Sequence, residues 1–206
     1  MCNYCYNSIR ARGSEASIKK FYEILKDCYY SSRRSVFELL IAHNYKEEDL
    51  KEVDKRDYVC NFEQELSYDT NTKQFYFNFY TESAWGPNLG ILFRLMKEKY
   101  AKEIELIYTS EEPGNTIYLT NDIDNSVWAD KYYMEYCLGS EVGGEYFTTK
   151  QELINYIHSL FNVDASHNDS LEMMEGRILE KYKIKTQGTE YIYIHEFEYD
   201  NNMYAA

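Results

Sequence analysis

Four groups of residues in this 206-residue chain combine type and spacing in a way that suggests chemistry. Cys2 and Cys5 form a C-x-x-C pair, the spacing of a redox dithiol or of half a zinc site. A structural zinc site needs two further ligands. No second cysteine pair exists, and His43, His158, His167 and His195 share no ligand spacing. Residues three apart in a strand point to opposite faces, so the pair reads as structural. His195 with Glu196, Glu198 and Asp200 supplies residue types used in metal-dependent hydrolysis. Strand alternation puts His195 with Tyr191, Tyr193, Phe197 and Tyr199, and sets Glu196 and Glu198 on the other side. Glu111-Glu112, before Pro113-Gly114, is expected in a solvated turn. Gly139, Gly143 and Gly144 are expected in a flexible loop, and no phosphate loop or nucleophile elbow is present. The chain is therefore expected not to be an enzyme, with no catalytic residue, metal or cofactor.

What remains is binding, and composition narrows it. The hydrophobic fraction of 44% suffices for a real core. Twenty-three tyrosines are far above ordinary usage, and tyrosine suits half-buried sheets and contact surfaces. Residues 1–100 hold 15 Lys/Arg and 15 Asp/Glu, whereas residues 101–206 hold 7 and 20, so the net charge of −13 lies wholly in the C-terminal half. Such a field repels nucleic acid and attracts basic surfaces. The five cysteines are odd in number and irregularly spaced, as free thiols in a reducing cytoplasm would be. The start lacks the basic and apolar runs of a signal peptide, and no stretch approaches the roughly 20 apolar residues of a membrane span. A cytoplasmic location without membrane contact is expected.

The elements that must position any site are organised around Phe75–Met96. Phe75, Phe77 and Phe79 fall on one side of a strand, and Tyr76, Asn78 and Tyr80 on the other. Gly86 and Pro87 make a corner, with Trp85 expected to plug the end of the sheet and Pro87 to open a helix. Leu89, Leu92, Phe93 and Met96 then repeat at helical spacing. Upstream, 3–12 reads as a strand, 15–26 as a helix, 36–42 as a short helix and 46–57 as a solvated helix held by Leu50 and Val53. Residues 58–68 and 73–81 read as a hairpin across 69–72. Strands follow at 103–109 and 116–120. The remainder reads strand (131–138), helix opened by a Thr149–Glu152 capping box, helix (170–182) and strand (190–200). The expected fold class is α+β. A ferredoxin-like split βαβ antiparallel sheet with helices on one face spans 1–125, with a helical insertion at 28–58. An acidic, Tyr-rich α+β extension spans 126–206.

Three pieces of the first 125 residues resemble the YubB-type ferredoxin-like domains of plasmids and phages. They are the opening Asn3-Tyr4-Cys5-Tyr6-Asn7 strand that runs to Gly13, the corner Thr81-Glu82-Ser83-Ala84-Trp85-Gly86-Pro87, and Tyr108 with the 111–114 turn. Tyr4 and Gly86 depart from the Trp and Ser expected there. The resemblance implies a ferredoxin-like fold and a mobile-element setting. It implies no established reaction and carries over no catalytic residue.

Together these features give an expected function: a non-enzymatic protein-binding module that inhibits a host nuclease or defence complex, of anti-CRISPR or anti-restriction type. It would present carboxylates where phosphates belong, to a basic surface on a nuclease or CRISPR effector. The expected partner-binding residues are Glu135, Glu141, Glu145, Asp164, Asp169, Glu172, Glu175, Glu196, Glu198 and Asp200. One alternative is a single-stranded RNA or DNA binder that stacks bases on Tyr6, Tyr76 and Tyr80, though the basic surround such binding requires is missing. The other is a metal-dependent nuclease or hydrolase at His195.

Overall fold

Strict alternation makes Tyr4–Gly13 a strand, β1, with Cys5, Asn7, Ile9 and Ala11 buried and Tyr4 and Tyr6 outward. The computed structural model describes residues 4–31, 34–51, 56–84, 86–184 and 189–200. Ser14 ends β1 and caps helix α1 (Glu15–Tyr30), its side chain accepting from the Ser17 N–H. Ile18, Phe21, Tyr22 and Leu25 form the buried face of α1. Helix α2 (Val36–Ala42) is capped in the same way by Ser35. Then come β2 (Tyr58–Phe62), β3 (Ser67–Asp69), β4 (Gln74–Ala84), α3 (Gly90–Lys99), β5 (Ile104–Glu112) and β6 (Ile117–Thr120).

The chain divides into two units, one running to Ile123 and resuming at Tyr199, the other Asp124–Glu198. The second holds β7 (Tyr132–Leu138), β8 (Glu141–Phe147), α4 (Lys150–Phe161), α5 (Leu171–Tyr182) and β9 (Tyr191–Glu196). A two-residue strand, β10 (Glu198–Tyr199), joins the larger sheet. That sheet has the order β10-β6-β5-β1-β4-β2, with β3 also paired to β4. Its registers among β1 to β6 are all antiparallel. Ile9, Phe77, Phe79, Leu106 and Tyr108 share one core with the apolar faces of α1, α2 and α3. The second unit is a three-stranded antiparallel sheet, β8-β7-β9, whose Met134, Tyr136, Ile192 and Ile194 pack with Leu153, Ile157, Phe161, Met174 and Ile178 of its helices. The molecule is thus α+β.

Several local expectations change. The glycines of 143 and 144 lie in a strand, β8, and not in a loop. Across the sheet, the Tyr136 and Tyr133 side chains occupy the space that a β-carbon would need at Gly143 and Gly144 respectively. The rings supply the packing the glycines lack. Glu111 and Glu112 belong to β5, and Glu112 is 1% exposed, so neither sits in a solvated turn. Of the 46–57 segment, residues 52–55 lie outside the described residues, and Glu47–Leu50 forms a short 3₁₀ turn with Leu50 as its buried anchor. Helix α3 starts at Gly90, three residues after Pro87, and buries Leu95 where the pattern favoured Phe93, which is half-buried. The expected 58–68 strand is broken into β2 and β3. Cys2, Val53 and Trp85 lie outside the described residues.

Candidate functional site

Helices cover one face of the larger sheet, so the other face is where its side chains can meet a partner. Pairing fixes which of them stand side by side. Tyr58 of β2 is opposite Glu82 of β4, and Glu82 is opposite Tyr6 of β1. Tyr6 is opposite Glu111 of β5, and Glu111 is opposite Tyr118 of β6. Directly paired residues project to the same side, so tyrosine and glutamate alternate in one row across five strands. Tyr6 is 53% exposed and Tyr58 is also exposed; Glu82 and Glu111 are half-buried, and Tyr118 is buried. The row is therefore open over β2, β4 and β1. Neighbouring strands lie about 4.8 Å apart, so the backbone positions of Glu82 and Glu111 stand about 10 Å apart with Tyr6 between them.

The same face carries Arg10 and Arg12, and both are engaged. The Arg10 guanidinium lies 4.2 Å from the Tyr76 ring centre, and its Nε donates to Asn78 Oδ1 at 2.8 Å. Arg12 is paired with Glu105 at 2.7 Å. Tyr6, Tyr76 and Tyr80 do share the open face of two central strands. However, Arg10 covers Tyr76, and carboxylates flank Tyr6. The basic surround that nucleic acid needs is not assembled there.

The ten predicted carboxylates differ in exposure and in what they bond. Glu141, Glu145, Asp164, Glu172, Glu196 and Glu198 are exposed. Asp164 lies after α4 with its side chain 99% exposed, 3.3 Å from His158 Nδ1. Three others are committed inside the fold. Asp169 is buried and takes a forked pair from Arg177, at 2.6 and 2.8 Å, and the Ser166 N–H at 2.7 Å. These donors, Arg177 first, hold its carboxyl below the usual aspartate range. Glu175 is half-buried and accepts the Ile194 N–H at 2.6 Å, and burial raises its pKa. Asp200 accepts from the Tyr108 hydroxyl at 2.9 Å and belongs to the first unit. Asp169, Glu175 and Asp200 thus each accept hydrogen bonds from donors of their own fold.

Glu135 is half-buried on the face of the small sheet away from its helices. There its Oε1 is 3.9 Å from His195 Nε2. Burial raises the Glu135 pKa and lowers that of His195, so both are pushed toward neutrality. This proximity comes from the pairing of β7 with β9, in which Glu135 faces Tyr193 and His195 faces Tyr133. Val142 (72% exposed), Tyr146 and Tyr193 make the rest of that face apolar and open. Among the described residues, no three His, Cys, Asp or Glu side chains converge as a metal cluster. The expected Cys2–Cys5 pair falls partly outside the described residues, and Cys5 is buried with its thiol pushed up to about 12, chiefly by burial and then by Glu112. Comparison with family models, with curated proteins and with solved structures finds no match.

Alternation in the sequence hints at each Tyr and Glu of the row separately. Nothing local says that Tyr58, Glu82, Tyr6 and Glu111 share a line, because that depends on register between strands far apart in sequence.

Proposed function

We propose that this protein is a non-enzymatic protein-binding module that engages a basic surface of its partner through the open face of the larger sheet. The observation that carries this is the Tyr58–Glu82–Tyr6–Glu111 row. A lysine or arginine set against Glu82 gains a charge-assisted hydrogen bond and an aromatic flank. Among the described residues the Glu82 carboxylate takes part in no hydrogen bond or ion pair, so it is available for such a contact. Tyrosine is also the residue type most suited to a contact surface that is half apolar and half polar.

The sharper form is inhibition of a nuclease or CRISPR effector by occupation of its nucleic-acid groove. Two features support it. Carboxylates carried on positions two strands apart in one row can meet cations arranged for phosphates. The second unit adds the exposed Glu141, Glu145, Asp164, Glu172, Glu196 and Glu198, with 6 Lys/Arg against 14 Asp/Glu over residues 124–198. For the first unit we propose the ferredoxin-like topology. The strand order β5-β1-β4-β2, with a helix after β1 and a helix after β4, supports it. A mobile-element origin and a cytoplasmic location fit the resemblance of the opening strand and the corner. The described cysteines form no disulfide, and no described helix is long and apolar enough to cross a membrane.

The test is a binding screen of the purified chain against bacterial nucleases and CRISPR effectors, repeated with Glu82→Gln/Glu111→Gln and with Tyr6→Ala. We expect at least one effector to bind and each variant to weaken it tenfold or more. Equal binding by the variants, or no binding to any effector at low salt, contradicts the proposal.

A further inference from the structure

The smaller sheet has an open face of its own. Helices α4 and α5 cover the side that carries Met134, Tyr136, Ile192 and Ile194. On the other side, Glu135 stands at the middle of the central strand, β7. Pairing sets Tyr193 of β9 to one side of it and Gly144 of β8 to the other. Directly paired residues share a face. Along β7, Tyr133 and Cys137 are its neighbours on that face.

Rings wall this position on both sides. On β9, Tyr191 and Tyr193 stack at 5.3 Å and 22°, and His195 continues the row 6.1 Å from Tyr193. Toward β8, Tyr133 and Tyr146 lie 4.6 Å apart, and Tyr133 fills the space that a β-carbon would need at Gly144. Tyr193 and Tyr146 are exposed, so both walls are open to a partner. Glu135 itself is half-buried. Among the described residues its carboxylate takes part in no hydrogen bond, and its one ion-pair neighbour, His195, is 3.9 Å away, beyond hydrogen-bond reach. Burial lowers the His195 pKa, so that ring is neutral at pH 7. Strands β7, β8 and β9 contain four glutamates and no Lys or Arg. A half-buried carboxylate costs free energy until a cation or donors meet it.

We infer that this face binds an arginine side chain of a partner protein, its guanidinium against the Glu135 carboxylate and between the rings of β9 and the Tyr133–Tyr146 pair. A guanidinium donates two parallel hydrogen bonds to one carboxylate, stacks on aromatic rings and is weakly hydrated, so it suits a half-buried acid walled by tyrosines. The chain uses the same chemistry internally: Arg10 lies 4.2 Å from the Tyr76 ring centre, and Arg177 forks onto Asp169. An ammonium lacks the planar fork and holds its water more tightly. A nucleic acid would bring phosphates to strands that carry only negative charge. The site lies within the second unit and does not rest on the Tyr–Glu row of the first.

The experiment titrates the full, isotope-labelled chain with the tripeptide acetyl-Gly-Arg-Gly-amide and follows its backbone amides by nuclear magnetic resonance. We expect saturable shifts centred on Glu135, Gly144 and Tyr193. The same peptide with citrulline in place of arginine is expected to bind at least tenfold more weakly, and with lysine at least threefold. Glu135→Gln and Tyr193→Ala are each expected to weaken the arginine peptide at least fivefold, while Glu82→Gln/Glu111→Gln binds it unchanged. The two pairs of variants lie in different units, so failure here is distinct from failure of the row. The inference is overturned by absent or non-saturable shifts, by shifts confined to other residues, by equal binding of the citrulline or lysine peptide, or by unchanged binding to Glu135→Gln. A dimer of this chain that Tyr193→Ala dissolves, or a thymidine oligonucleotide that shifts the same amides, overturns it as well.

Discussion

Asn7 shows how much one polar residue can be asked to do inside an apolar sheet face. Its Nδ2 donates to Thr81 Oγ1 (3.2 Å) and Ser83 Oγ (3.1 Å), and its Oδ1 accepts from Ser110 (2.7 Å). All four side chains are buried, so a lost amide leaves the Thr81 and Ser110 hydroxyls without this partner, while Ser83 keeps its bond to the Gly86 carbonyl at 2.7 Å. Asn7→Ala is expected to cost about 2–3 kcal/mol in urea unfolding; a cost near zero would show that water replaces the amide. His43 is a similar device. Its Nδ1 donates to the Leu39 carbonyl (2.7 Å), and its Nε2 accepts from the Tyr100 hydroxyl (2.6 Å). Burial holds its pKa below the usual histidine value, so the neutral ring is the folded form. Asp169 gives a pH signature. Its folded pKa lies below the unfolded one, so its pairing with Arg177 stabilises the second unit at neutral pH. That contribution is lost as pH falls through the folded value. Calorimetry is expected to show Asp169→Asn melting well below wild type at pH 7, with the two converging in acid. A gap that persists in acid would assign the effect to packing.

At the scale of elements, glycine separates two situations that look alike in sequence. Gly176 lies in the interior of α5, and a β-carbon there meets nothing within 4 Å. Gly176→Ala is expected to stabilise by about 0.5–1 kcal/mol. Gly143 sits beneath the Tyr136 ring in β8, so Gly143→Ala must displace that ring and is expected to lower the melting temperature. Thermal melts of both variants decide this; destabilisation by both, or by neither, contradicts the assigned environments. The contrast also explains which elements the sequence revealed. β1, α1, α2 and the Thr149–Glu152 capping box follow from periodicity and caps within a few residues of each other. β8 was hidden because its partners, Tyr133 and Tyr136, lie on another strand and compensate for glycines that locally suggest a loop. Glu112 looked solvated because the charge of a side chain does not reveal that its strand continues inward. The candidate site was less legible still. Its tyrosines and glutamates lie on β2, β4, β1 and β5, and only pairing brings them into line. The acidic half was visible as composition, yet Asp169, Glu175 and Asp200 are spent on internal donors that composition does not show.

Over the whole molecule, charge and tyrosine point to the same partner chemistry. In the proposed reading, the Tyr–Glu row is the first unit's place for cations, and the second unit, with 6 Lys/Arg against 14 Asp/Glu, adds a negative field. Fields of this kind speed association with basic surfaces and weaken as salt screens them. The partner's affinity is therefore expected to fall between low and physiological salt, mostly through a slower on-rate. The most direct measurement of the central claim is a competition titration. The effector that binds this protein is loaded with labelled duplex DNA, and the unlabelled protein is added. We predict that the DNA is displaced in proportion to protein bound, and that Glu82→Gln/Glu111→Gln displaces it at least tenfold less well. A stable ternary complex of effector, DNA and this protein would contradict the account.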